Sequence, residues 1–153
     1  MHIRKLLDDE YEEVIKLIYE TVHNVCKNDY PEKELFAWAP KKFDAIKFRK
    51  ALDECYNTVM TDKNKIVGFL SMEPYGYINR LYTHKDYLRR GIATALLKNA
   101  EEWAKNNGIY ELRLDSSKTA EGFYIRMGFS EKGVSVLTHN NVVFKNKTMS
   151  KIL

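Results

Sequence analysis

Tyr87-Leu88-Arg89-Arg90-Gly91-Ile92-Ala93-Thr94-Ala95-Leu96-Leu97 separates two kinds of periodicity. Before it, Tyr77 to Tyr82 reads as a strand. After it, Ile92, Leu96, Ala100 and Trp103, flanked by Ala93, Leu97 and Ala104, recur at helical spacing until Asn107-Gly108 stops the helix. At such a strand-to-helix turn the backbone N–H groups of Arg90 to Thr94 stand at the positive end of the helix, where they suit a phosphate. Gly91 lets the backbone approach a ligand with no Cβ in the way. Ala93 is small for the same reason, and Arg89 and Arg90 add positive charge at the rim. A plain basic turn with one geometric glycine reads the same residues, because a single Gly is weak evidence. The dinucleotide and Walker patterns do not fit, since only one Gly is present and no Gly-Lys-Ser/Thr follows.

Working outward, Tyr110, Leu112 and Leu114 alternate with Glu111, Arg113 and Asp115 as the next strand, which makes Tyr77 to Leu114 a strand-helix-strand crossover. Upstream, Thr58 to Thr61 and Ile66 to Leu70 read as strands joined by the polar turn Asp62-Lys63-Asn64. His2 to Leu6 alternates like a short strand. Asp9 with Glu12 resembles a capping box ahead of an amphipathic helix built on Val14, Leu17, Ile18, Thr21, Val22 and Val25. Asn28 to Pro31 breaks that helix, and a second one after Pro40 carries Ala45, Phe48, Leu52 and Cys55 on one face. Downstream, a short helix from Ala120 to Met127 ends at Gly128. Strands from Val134 to Leu137 and from Val142 to Met149 meet at Asn140-Asn141. The order β-α-α-β-β-β-α-β-α-β-β predicts an α/β fold, a mixed sheet with helices on both faces.

Composition narrows the function. A chain of 153 residues without repeats or linkers is expected to form one domain, residues 1–153. No apolar run approaches the roughly 20 residues of a membrane span, and the N-terminus turns acidic before a signal-peptide core can form. Cys26 and Cys55 make no disulfide framework and lack zinc-ligand spacing, so no metal and a cytoplasmic location are expected. Twenty-five Lys and Arg against 21 Asp and Glu give a net charge of +4, too mild to indicate a nucleic-acid partner.

The segment Leu88-Arg89-Arg90-Gly91-Ile92-Ala93 resembles the acetyl-CoA pyrophosphate loop of the Gcn5-related N-acetyltransferases (GNAT), Gln/Arg-x-x-Gly-x-Gly/Ala. It matches at Gly91 and Ala93 and has Leu88 where Gln or Arg is usual. Ala120-Glu121-Gly122-Phe123-Tyr124-Ile125-Arg126-Met127-Gly128-Phe129 resembles the same family's Ala-x-x-Phe-Tyr-x-x-x-Gly-Phe segment, preceded by Thr119 where Asn is common. Met149-Ser150-Lys151 is similar to its closing Met-x-Lys. The resemblance covers the whole element order. It implies a mostly antiparallel seven-stranded sheet flanked by about four helices. It also implies transfer of an acetyl group from acetyl-CoA to a primary amine of a small molecule or peptide, by direct attack in a ternary complex. The cofactor would lie against Leu81, Tyr82 and Thr83 where that strand splays from the next, against Arg89, Arg90, Gly91, Ile92, Ala93 and Thr94 at the loop, and near Thr119 and Phe123. Leu114, Asp115 and Ser116 would form the other wall.

By the same resemblance Tyr124 is the proton donor to the departing thiolate, although an aromatic there could also simply pack the short helix. Many relatives place a carboxylate where this chain has Asn79. Glu73 is the nearest carboxylate expected to face the cleft as general base, with a solvated turn residue as the plainer reading. His84 is a titratable alternative that would equally serve to fix its loop, and His139 is expected to be exposed. Acceptor binding is assigned to the first two helices and their connection. There Tyr30 and Trp38, with Asn79, would hold an apolar or cationic amine and Asp29, Glu32 or Glu34 would supply charge; Trp38 reads equally as core. Both cysteines are expected to pack on helical faces. A non-catalytic acyl-CoA sensor on the same fold is the alternative function, and a homodimer suits the family's habits.

Overall fold

The computed structural model describes residues 1–153. Its strands are β1 (His2–Lys5), β2 (Tyr56–Asp62), β3 (Lys65–Met72), β4 (Ile78–Thr83), β5 (Glu111–Ser116), β6 (Ser130–His139) and β7 (Val142–Ile152). The helices are α1 (Tyr11–Val25), α2 (Glu32–Trp38), α3 (Ala45–Leu52), α4 (Ile92–Asn106) and α5 (Glu121–Arg126), with a 3-10 turn at Cys26–Asn28. The seven strands form two sheets, β1-β2-β3-β4 and β5-β7-β6, in which every neighbouring pair is antiparallel. One parallel bridge, Tyr77 with Arg113, joins them, and the Arg113 N–H donates to the Gly76 carbonyl at 3.0 Å. Beyond that bridge β4 and β5 diverge like a fork. The register of β4 against β3 steps from Ser71↔Arg80 to Met72↔Ile78, which leaves Asn79 as a bulge. A bulge bends its strand and raises the local twist, and the fork opens at this residue.

Strand alternation sends side chains to two cores. Val59, Ile66 and Phe69 pack with α1, α2, α3 and Phe144 on one face. Met60, Val67, Leu70 and Met72 pack with α4, α5, Leu112, Leu114 and Met149 on the other, so α4 bridges both sheets. Gly68 is where α4 presses hardest. A Cβ there would stand 2.5 Å from Ile92 Cγ2 and 2.9 Å from Leu96 Cδ1, so the first turn of the helix rests on bare backbone.

The two expected tight turns are present. Lys63 and Asn64 (φ 49° and 65°) close β2–β3, and Asn140 and Asn141 (φ 47° and 65°) close β6–β7. Two successive left-handed residues give the twist that hairpins favour. Other details differ from the sequence reading. The Asp9–Glu12 box does not form: Glu10 stands at the start of α1, and its carboxylate accepts from Arg4 and from the Leu7 N–H (2.9 Å). The short α2 went unread because seven residues show barely two turns of periodicity. Cys55 lies three residues beyond the end of α3, half-buried, with its Sγ near the Ala51 carbonyl at 3.6 Å. β6 and β7 outrun their apolar stretches because backbone pairing continues through exposed polar residues. No helix is long and apolar enough to cross a membrane.

Candidate active site

A cleft of about 1010 Å³ runs through the fork. One half lies beside the start of α4, against α5 and the end of β5. The other lies under α1, α2, α3 and the β6–β7 hairpin.

The first half is made largely of backbone. Arg89 (φ 58°) and Gly91 (φ 79°) are both left-handed, which turns the chain sharply into α4. The backbone N–H groups of Arg89 to Thr94 find no backbone acceptor, and the helix ladder starts with Ala95 N–H donating to Gly91 O at 3.0 Å. A Cβ at Gly91 would meet no atom within 4 Å, so the loop is an open concavity lined by amide hydrogens at a helix N-terminus. Those residues fit the pyrophosphate of coenzyme A. Leu88 and Arg89 line the cleft, together with Gly91, Ile92, Ala93 and Thr94. Arg90 does not line it. Its guanidinium lies 4.6 Å from the centroid of the Tyr87 ring.

Tyr124 stands where the halves meet. It is 6% exposed, packed edge-on between Phe123 (5.3 Å) and Phe129 (5.4 Å), and it borders the cleft. Burial, with Tyr82 alongside, pushes its phenol well above the usual tyrosine range, so it is protonated at neutral pH. Leu81 and Tyr82 line the gap between the sheets. The Tyr82 hydroxyl accepts from Trp38 Nε1 at 3.0 Å, and burial pushes its phenol up to about 12 despite that donor. The Thr83 carbonyl is taken by Thr21 Oγ1 at 2.9 Å, which ties α1 to β4.

Across the gap, Asp115 accepts hydrogen bonds from Ser135 Oγ (2.5 Å), Thr148 Oγ1 (2.8 Å) and the Tyr77 hydroxyl. Burial pushes its carboxyl up, but the bonds from Ser135, Tyr77 and Thr148 together outweigh it and hold the group below the usual carboxylate range. Ser116 is buried beside it, with its hydroxyl donating to Ser117 O at 2.9 Å. Thr119 lines the cleft and donates to Asp29 at 2.7 Å.

The expected acceptor residues divide. Trp38 and Asn79 are cleft walls. Tyr30 is a strut: it is buried, its hydroxyl accepts from the Lys118 N–H at 2.9 Å, and its ring packs against Trp38 and Phe144. Asp29 is engaged by Thr119, and neither Glu32 nor Glu34 lines the cleft. Glu73 lies outside the walls and touches the site through Asn79, whose Nδ2 donates to Oε1 at 3.0 Å. His84 is buried in its loop, accepts from the Asp86 N–H at 3.1 Å, and fixes the chain there. His139 is half-buried in a cleft wall rather than exposed, because its ring packs edge-on against Phe144 with centroids 5.2 Å apart. Burial, and then the charge of Arg80, hold its imidazole below the usual range. Arg80, Phe43, Phe48, Leu137 and Asn146 also line this half, and the sequence assigns none of them to a site. The one available signal was that Arg80 shares a strand face with Tyr82, two residues away.

Residues 26–151 match the family model described as an acetyltransferase (GNAT) domain. The chain is 29% identical over 129 residues to the uncharacterized N-acetyltransferase YafP of Escherichia coli, covering 84% of this chain and 81% of that protein. It is 25% identical over 142 residues to the spermidine N(1)-acetyltransferase of Thermoplasma acidophilum, covering 84% and 88%. Its fold superposes on the crystal structure of a GCN5-related N-acetyltransferase from Rhodopseudomonas palustris with a TM-score of 0.95 at 28% identity, over 99% of this chain and 95% of that one.

Proposed function

The chain belongs to the GNAT family of acetyl-CoA-dependent acetyltransferases, and from that premise we propose that it acetylates a primary amine of a small molecule by direct attack in a ternary complex. The observation that carries this reading is the continuity of one cleft from the amide-lined turn, past Tyr124, to the wall formed by Trp38 and Asn79. Bound acetyl-CoA supplies an activated acetyl carbonyl.

The residues of the chain have five tasks. The N–H groups of Arg90, Gly91, Ile92, Ala93 and Thr94 hold the pyrophosphate, with Arg89 at the rim. The open edge of β4 at Leu81, Tyr82 and Thr83 aligns the pantetheine arm, faced by Ser116, Thr119 and Phe123. Tyr124, held protonated by burial, donates its proton to the sulfur as the C–S bond breaks. Trp38 and Asn79 bound the space for the amine while Tyr30 braces Trp38 from behind. The ammonium proton leaves by solvent at the cleft mouth, with Glu73, behind Asn79, as its terminal acceptor.

Initial rates of thiol release, measured over a grid of acetyl-CoA and amine concentrations, test the reading. Intersecting lines and an N-acetylated product by mass spectrometry are expected. Parallel lines, the mark of an acetyl-enzyme, would overturn direct attack.

A further inference from the structure

Arg80 carries the unanswered charge of the acceptor half. It projects from β4 on the same face as Tyr82, is half-buried in the cleft wall, and holds its guanidinium 5.3 Å from the centroid of the Phe48 ring. It forms no ion pair and no hydrogen bond with any protein group; Arg89 and Arg126, which line the cleft without a carboxylate partner too, border its other half beside α4 and α5. The single carboxylate on the cleft wall, Asp115, is already occupied by Ser135, Thr148 and Tyr77. The remaining polar groups near Arg80, among them Asn79, His139 and Asn146, leave its charge uncompensated. A partly desolvated guanidinium stacked on an aromatic ring is a rigid two-pronged donor matched to a carboxylate. The tip of the β6–β7 hairpin is pinned to α2, with Asn140 Nδ2 donating to the Ala37 carbonyl at 2.7 Å, which bounds this half and favours a small guest over a polypeptide.

The geometry points to an acceptor that carries a carboxylate as well as its amine: a small amino-acid-type zwitterion whose carboxylate sits on Arg80 over Phe48 while its amine reaches the fork beside Tyr82. Arg80 and Tyr82 are two residues apart on one strand face, about 7 Å, so a compact molecule spans them. A polyamine is the wrong guest, because its further ammonium groups would face Arg80 with no wall carboxylate left to receive them. The inference rests on the acetyl-transfer reading and names its substrate class. The new N–C bond forms and the C–S bond breaks as proposed above, and the carboxylate is unchanged.

The test is thiol release with α-, β- and γ-amino acids, each paired with its carboxamide, and with a polyamine. At least one acid is expected to exceed its carboxamide by about ten- to a hundredfold in kcat/KM, the range of a charge-assisted hydrogen bond, with the polyamine poorer than that acid. Arg80→Gln should collapse that ratio to about one, chiefly through KM, and Arg80→Lys should restore part of it. An unaltered melting shift on adding coenzyme A establishes that each variant is folded. Carboxamides or polyamine turned over as well as the acids, or a ratio that survives Arg80→Gln, would overturn the inference. If no amine releases thiol, it is the acetyl-transfer reading that fails. The carboxylate site is then read by binding alone: the acids raise the melting temperature of the coenzyme A complex in wild type and not in Arg80→Gln, and no rise in wild type overturns the inference.

Discussion

The two halves of the cleft are built from different materials. Beside α4 the walls that matter are unpaired amide hydrogens of the turn between Arg89 and Thr94, set in place by two left-handed backbone angles. Under α1, α2 and α3 the walls are side chains, contributed by segments as far apart in the chain as Ile18, Trp38, Arg80 and His139. A site made of backbone tolerates changes of side chain and fails when the backbone path changes. A site made of converging side chains behaves the other way round.

Substitutions can break or sharpen that contrast. Tyr124 sits at the junction and belongs to neither half, so Tyr124→Phe should lower kcat by about a hundredfold or more with the dissociation constant of coenzyme A unmoved. A loss of only a few fold would remove it as proton donor. In the backbone half, Gly91→Val places a branched residue at φ 79°, a conformation that costs about 1–3 kcal/mol. The loop then either relaxes out of shape or points a side chain into its own concavity. Isothermal titration should show coenzyme A binding weakened about tenfold or more, and unchanged binding would refute the loop assignment. In the acceptor half, Trp38→Phe keeps the bulk but removes the donor to Tyr82, a neutral hydrogen bond. The KM of the amine should rise about three- to tenfold while coenzyme A binds as before; a shift in coenzyme A affinity instead would mean the halves are not separable. Arg89→Ala, a side-chain change in the backbone half, should weaken coenzyme A by less than about fivefold, and less still in high salt.

The smallest effect concerns stability. Burial holds His84 and His139 below the usual imidazole range, so the unfolded chain binds more protons than the folded one. Their contribution is complete above the unfolded value near 6.5 and is lost as pH falls below it. Melting curves should drop by a few degrees between pH 7.5 and pH 5, and His139→Gln should flatten part of that slope. An unchanged slope would mean that His139 titrates as it does in the unfolded chain.

The same division explains what the sequence could reveal. The turn from Tyr87 to Leu97 was legible because a backbone device leaves a local trace: a glycine, small neighbours and an apolar repeat in one unbroken stretch. The paired left-handed residues at Lys63-Asn64 and Asn140-Asn141 were legible for the same reason. The acceptor half leaves no such trace. Arg80 looks like any charged strand residue until β6, α2 and α3 are brought around it; nothing local records which way the bulge at Asn79 turns the chain beside Glu73, nor that the Tyr30 hydroxyl is taken by a Lys118 N–H 88 residues away. The pairing of Asp115 with Ser135 and Thr148 spans 20 and 33 residues, beyond the reach of any periodicity.

Gly68 carries the contrast one layer deeper. The pleat of β3 acts as a mechanical stop on which the first turn of α4 rests, and the height of that stop sets the direction in which the amides of the turn are aimed. A single methyl group there would act as a shim, pressing on the side chains of Ile92 and Leu96 and tilting the helix by its end. The aim of the loop's amides is therefore calibrated from beneath, by the thickness of the sheet on which α4 rests.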